Sequence, residues 1–235
     1  MGVSHSPHIV TDGLLRCYDS AKIVGLAGSS WHDLTANQNI TLSGSPSTTT
    51  YNGVDVLHLE KDSNQYATFD SNPLSGINGA TAEFWIRFES VQGSTTTPYY
   101  QLIIFESCVW IAQYAGKIGI DLNSGSGWFD GAGGTNTGAQ VPDTGTITTG
   151  VWYNPCFAWG GGVVNCYMNG ALQRSKSIGS VTSLPAGTTP RQLGRRGGDT
   201  TQFDGDFAIA RLYSKQLTHA EVEQNHNALK GRFGL

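Results

Sequence analysis

Charge is scarce in this sequence: only 14% of its 235 residues are Asp, Glu, Lys or Arg, against about 25% in an average globular protein. The 14 basic and 18 acidic side chains leave a net charge of -4, so no cationic field gathers phosphates and nucleic acid is set aside as a partner. No apolar run approaches the ~20 residues that span a bilayer, which sets aside membrane insertion. The opening Met1 to His8 lacks the basic and apolar regions of a signal peptide, so synthesis in a cytoplasm without secretion is expected. Gly2 and Ser6 match a myristoylation signal only loosely. Cysteine is limited to Cys17, Cys108, Cys156 and Cys166 with no CxxC pair, too few for a disulfide scaffold and wrongly spaced for zinc. Gly-x-Ser-x-Gly and His-Glu-x-x-His are both missing, and none of the six histidines has a serine or cysteine motif beside it.

What is present is glycine, 31 residues of it, between short apolar segments. These run over Leu14 to Tyr18, Val54 to Leu59, Tyr66 to Phe69, Thr81 to Phe88, Gln101 to Phe105, Val109 to Tyr114 and Lys117 to Leu122. Val151 to Trp159, Val163 to Met168, Ala171 to Arg174, Arg191 to Leu193 and Phe207 to Tyr213 follow. About a dozen short strands with turn residues between them predict an all-β antiparallel sandwich or barrel. In Glu83 to Phe88, period two puts Phe84, Ile86 and Phe88 on one face and Glu83 and Arg87 on the other, which reads as a half-buried strand. Trp85, Trp152 and Trp159 lie in strand patterns and are expected in the core. Ala115-Gly116 and Asn169-Gly170 are set for tight hairpins. A hairpin centred on Gly161 would place Cys156 opposite Cys166, as two buried thiols on one core face or as a bonded pair.

Only the end reads as helix, over 219–230. Thr218 and Glu221 form a capping box, Val222, His226 and Leu229 recur at helical spacing, and Gly231 is placed to stop the helix in a left-handed turn. With no internal repeat and no composition break, residues 1–235 read as one domain with an N-terminal arm over 1–13.

Several segments together resemble the concanavalin A-like, laminin-G-like jelly-roll superfamily, in the form found in virion proteins of tailed bacteriophages. They are His5 to Leu14, Ser30-Trp31-His32-Asp33-Leu34, Leu57 to Tyr66, Trp152-Tyr153 through Tyr167-Met168-Asn169-Gly170, and above all Phe203-Asp204-Gly205 with Ala208 to Leu217 and Gln224 to Gly234. The resemblance implies a jelly-roll β-sandwich with one short C-terminal helix and no enzymatic activity. It implies display on the virion surface, other virion proteins or further copies of the chain as partners, and host-surface glycans as possible ligands. Related glucanases carry a glutamate-x-aspartate-x-x-glutamate strand that sets acid and nucleophile on one face. Here the nearest approach is Glu83 and Glu89, read as solvated edge carboxylates, so a glycoside hydrolase is the remote alternative. Where the family carries an acidic pair before tyrosine, this chain has Asn64-Gln65-Tyr66, which removes charge that a calcium ion would need.

Asp62/Asn64, Asp121/Asn123 and Asp204/Asp206 still offer oxygens two residues apart, with Asp204 and Asp206 the favoured calcium candidates. Turn residues bonding their own backbone are the preferred reading, and no cofactor is expected. A glycan contact needs exposed rings with planar amides and carboxylates around them. Trp128 and Phe129 with Asn123, Asp130 and Asn136 fit that description within the apolar-poor stretch 123–150, and Tyr99 and Tyr100 would form a second wall. Packing or a protein interface is the commoner use of such loop aromatics. Arg195 and Arg196 could clamp an anion, although solvation or pairing with Asp199 is the simpler expectation.

Overall fold

The computed structural model describes residues 8–21, 26–27, 29–91, 100–114, 116–123, 128–130, 147–178, 184–197 and 202–235. In chain order the strands are β1 (Leu14–Asp19), β2 (Leu26–Ala27), β3 (Ser30–Trp31), β4 (Ile40–Ser43), β5 (Ser47–Tyr51) and β6 (Val54–Leu59). Then come β7 (Tyr66–Thr68), β8 (Ala80–Phe88), β9 (Tyr100–Phe105), β10 (Val109–Tyr114), β11 (Lys117–Asn123) and β12 (Trp128–Asp130). The series closes with β13 (Trp152–Tyr153), β14 (Pro155–Gly160), β15 (Val163–Met168), β16 (Ala171–Ser177), β17 (Arg191–Leu193), β18 (Gly205–Tyr213) and the helix α1 (His219–Leu229). All pairings are antiparallel and fall into two sheets. The first runs β16-β15-β14-β8-β18-β6-β5, with β1 also on β18 and β13 also on β8. The second runs β12-β11-β10-β9-β17-β7-β4-β3-β2. This is the antiparallel sandwich that the strand pattern predicts.

Alternation builds the core between the layers. Phe84, Ile86, Phe88, Phe207, Phe157 and Cys166 from the first sheet meet Leu42, Ala67, Ile103, Phe105, Ile111, Ile120 and Leu193 from the second in one buried cluster. Burying each such side chain contributes about 1.5–3 kcal/mol, so this cluster is the main source of stability.

Four local expectations change on contact with the structure. β8 is buried on both faces, because Trp85 on its outward side stacks on Phe233 at 4.2 Å and on His226 at 5.4 Å between ring centroids. The run Val151 to Trp159 is two strands, interrupted at Asn154, whose side-chain amide donates to the Phe84 carbonyl at 2.8 Å. Cys156 and Cys166 are not opposite one another: Cys156 pairs with Tyr167 and Phe157 with Cys166. Gly161 and Gly162 both take positive φ, 57° and 80°, in a two-residue turn, and the resulting one-residue change of register puts the thiols on opposite faces. Both are free and buried, Cys166 in the main core and Cys156 under the helix, where burial pushes both thiols up, Cys166 to about 12. Finally, Gly231 does not end the helix in a left-handed turn. The chain tightens into a 3₁₀ turn over Lys230–Phe233, and Gly234 takes the left-handed conformation at φ 73°. The capping box forms as expected, with the Glu221 amide donating to Thr218 Oγ1 at 3.3 Å and the Thr218 amide to Glu221 at 2.8 Å.

Candidate functional site on the outward face of the second sheet

Period two sends Val109 and Ile111 of β10 into the core and leaves Trp110 on the other side, half-buried. The register extends that position into one row across seven strands: Thr41, Thr68, Gln192, Ile104, Trp110, Asp121 and Asp130. The segment after β17 lies over this row. The Arg196 guanidinium sits 4.6 Å from the centre of a Trp110 ring and donates through Nε and Nη2 to the two oxygens of Glu106, at 3.0 and 3.1 Å. The Gly197 amide donates to Gln192 Oε1 at 2.9 Å, and Arg195 lies 4.8 Å over the Tyr66 ring. A fork-to-fork Arg–carboxylate pair is planar and directional, and a guanidinium on an aromatic face loses little hydration. Together they hold a ring, an amide, a carboxylate and a guanidinium in fixed positions on a sheet face.

The residues singled out from sequence fall partly on this face. Asn123 pairs with Trp128, and Asp130 pairs with Asp121 in the Trp110 row, so these positions share one edge. Phe129 pairs with Leu122, a core position, and so belongs to the alternate row. Tyr100 pairs with Gln113, near the opposite end of β10. At about 3.4 Å per residue, five residues of β10 separate the strand positions of Tyr100 and Trp128 by about 17 Å. Tyr99 and Asn136 lie outside the described residues, as do Asp199 and most of 124–146. Arg196 finds Glu106 as its partner, 90 residues away, a pairing that no local motif announces. Trp110 was legible by alternation with Val109 and Ile111, but within a strand it carries no sign of what lies above it.

The carboxylate pair offered for hydrolysis is not a pair. Glu83 is buried, not a solvated edge carboxylate: it accepts from Asn225 Nδ2 at 2.8 Å, Asn154 Nδ2 at 3.2 Å and Arg211 Nη1 at 3.3 Å. Its neighbour Asn225 in turn accepts from the Val10 amide at 2.7 Å, and Asn154 Oδ1 lies 3.1 Å from His226 Nδ1. The network fastens α1 and the N-terminal segment to the first sheet. Glu89 is exposed and six residues along, about 20 Å at strand spacing, where glycosidases hold their two carboxyl groups within about 10 Å. Beside the network, an open groove lined by Asn169, Leu172, His219, Glu223, His226 and Lys230 runs along α1.

The calcium candidates face protein cations. Asp206 accepts from Arg87 Nε at 2.7 Å and Nη2 at 2.5 Å, from Thr49 at 3.0 Å, and contacts His58 Nδ1 at 3.1 Å. Asp204 accepts from Lys61 Nζ at 3.0 Å and from the Ser90 hydroxyl. Burial pushes the Asp204 carboxyl up, but the bonds from Ser90 and Lys61 outweigh it and hold it below the ordinary carboxylate range. Among the described residues one group with metal-capable geometry forms elsewhere, from His58, Glu60 and Glu89.

Comparisons with known proteins bear on this geometry. A family model described as the concanavalin A-like lectin/glucanases superfamily matches residues 61–223. No curated protein sequence matches the chain. Among solved structures, domain 4 of AbnA, a GH43 extracellular arabinanase from Geobacillus stearothermophilus in complex with arabinotriose, superimposes with a TM-score of 0.68 at 18% identity, covering 91% of this chain and 98% of that one. The binding domain of Paraclostridial Mosquitocidal Protein 1 gives 0.69 at 17% identity, over 91% of this chain and 52% of that one. The binding domain of botulinum neurotoxin DC in complex with SialylT gives 0.63 at 13%, over 94% and 52%. This chain therefore spans about half the length of the toxin domains, and likeness at these identities is likeness of fold.

Proposed function

The chain belongs to the concanavalin A-like lectin/glucanases superfamily, and from that premise we propose that it is a non-enzymatic display module whose second-sheet outward face holds saccharide. The observation that carries the reading is the fixed Trp110–Arg196–Glu106–Gln192 arrangement on an outward sheet face. A half-buried ring covers the apolar side of a pyranose or furanose, while a planar amide, carboxylate and guanidinium take its hydroxyls. Fold relatives in complex with arabinotriose and SialylT make short neutral or sialylated oligosaccharides the first ligands to try. The buried, fully engaged Glu83 and the distant Glu89 support binding without hydrolysis.

The setting in this reading is the surface of a bacteriophage virion, with other virion proteins and further copies of the chain as neighbours. It rests on the resemblance carried by Phe203 to Gly205, Ala208 to Leu217 and Gln224 to Gly234. A glycan array probed with wild type and with Trp110→Ala tests the binding reading. Saccharide binding by wild type that falls at least tenfold in the variant is expected, and absence of binding by wild type removes the proposal. Released reducing ends from any bound glycan would overturn its non-enzymatic half. Mass spectrometry of purified particles should find the chain among virion proteins, and its absence would sink the virion setting.

A further inference from the structure

The outward face of the first sheet carries a second built arrangement, at the end away from α1. Pleating puts His58 of β6 and Glu60, just past its end, on this face, together with Glu89, which follows β8 across β18. A ring nitrogen of His58 and one carboxylate oxygen from each glutamate lie within 4.8 Å of one another. Neither glutamate carboxylate makes a hydrogen bond or ion pair with the described residues, while the neighbouring cations Lys61 and Arg87 are engaged by Asp204 and Asp206. Two negative groups thus converge on an imidazole with no side-chain cation between them among the described residues, an arrangement that gains from a bound cation.

Behind this group the histidine contacts a buried carboxylate. Asp206 is fully buried and held by Arg87 and Thr49. Its carboxylate only accepts, so the His58 Nδ1 at 3.1 Å donates, which in the neutral ring places the lone pair on Nε2. A carboxylate behind a histidine fixes the tautomer and raises the ligand's basicity, which is the outer-shell arrangement of histidine metal sites. One imidazole nitrogen with two carboxylate oxygens suits zinc and similar first-row divalent ions, whereas calcium takes oxygen throughout.

We propose that His58, Glu60 and Glu89 form a zinc-type divalent metal site, completed by water, that ties the end of β6 to the end of β8 over the start of β18. The ion bridges two strands that do not pair with each other, so its role is to brace this corner of the sandwich. The site is separate from the saccharide face, on the other sheet.

Calorimetric titration of the chelator-treated protein with zinc chloride tests it, alongside Glu60→Gln/Glu89→Gln and His58→Asn. Wild type is expected to bind one zinc ion at this site and to melt at a higher temperature when zinc is present. Both variants are expected to lose at least tenfold in zinc affinity and the zinc-dependent rise in melting temperature. Melting of the double variant without zinc should match wild type, since Glu60 is half-buried and Glu89 exposed. Absence of zinc binding by wild type would overturn the proposal, and so would a double variant that binds as wild type does, which would move the ion to another cluster such as His219 and His226.

Discussion

On the outward face of the first sheet, Glu83 and Arg211 keep 1% and 2% of their side chains exposed; on that of the second, the equivalent ion pair, Glu106 and Arg196, keeps 20% and 34%. Trp85 is stacked beneath Phe233 and His226 and buried, while Trp110 lies under the Arg196 guanidinium and stays half-buried. The strands beneath share one alternating grammar. What differs is the chain that returns to cover them: α1 and the 3₁₀ turn seal the first face, and only the short segment 195–197 crosses the second among the described residues. A sealed face turns its polar groups into fasteners, and the second face keeps the Glu106–Arg196 pair partly exposed.

The sharpest way to break this contrast is to remove one partner from each ion pair. Arg211→Leu strands a buried carboxylate and should cost about 3–5 kcal/mol in urea unfolding, whereas Arg196→Leu should cost no more than about 1 kcal/mol. Equal costs would erase the distinction between the faces. Trp85→Ala should cost about 3–5 kcal/mol by the same measurement, and Trp110→Ala distinctly less, with its main effect on glycan binding.

A pH series separates the faces more finely. Burial, reinforced by Lys230, holds the His226 imidazole below its ordinary value of 6.5. The unfolded chain therefore takes up the proton first as pH falls, so this contribution is complete above pH 6.5 and is lost on the way down to the folded value. Stability should drop on acidification below pH 6.5, and His226→Gln should flatten that slope. An unchanged slope in the variant would show that the groove histidine is not part of the seal. The smallest effect belongs to the cap: Thr218→Ala should cost about 1 kcal/mol, read as a lowered unfolding midpoint with no change in saccharide binding.

Much of the sandwich was legible because alternation names the core face directly, as in Phe84, Ile86 and Phe88, and because Asn169-Gly170 and Thr218-x-x-Glu221 are local devices. Register is not legible where adjacent glycines, Gly160 to Gly162, compete for one turn, which is why Cys156 and Cys166 lie on opposite faces and not opposite each other. Nor was burial of Glu83, whose partners Arg211 and Asn225 lie 128 and 142 residues away. Loops without an apolar pattern drew attention to Asn123, Trp128 and Asp130, and the register does gather those positions on one edge. The same reasoning missed Trp110, Glu106, Gln192 and Arg196, because a ring inside a strand looks like core until the register shows which face it is on.

Hydrogen–deuterium exchange of the full chain, with and without the strongest array ligand, tests the division of labour between the faces most directly. Protection is expected over 102–111 and 191–197, with α1 unchanged. Protection confined to 219–230 and the β15–β16 turn would place the ligand in the helix-side groove and contradict the account.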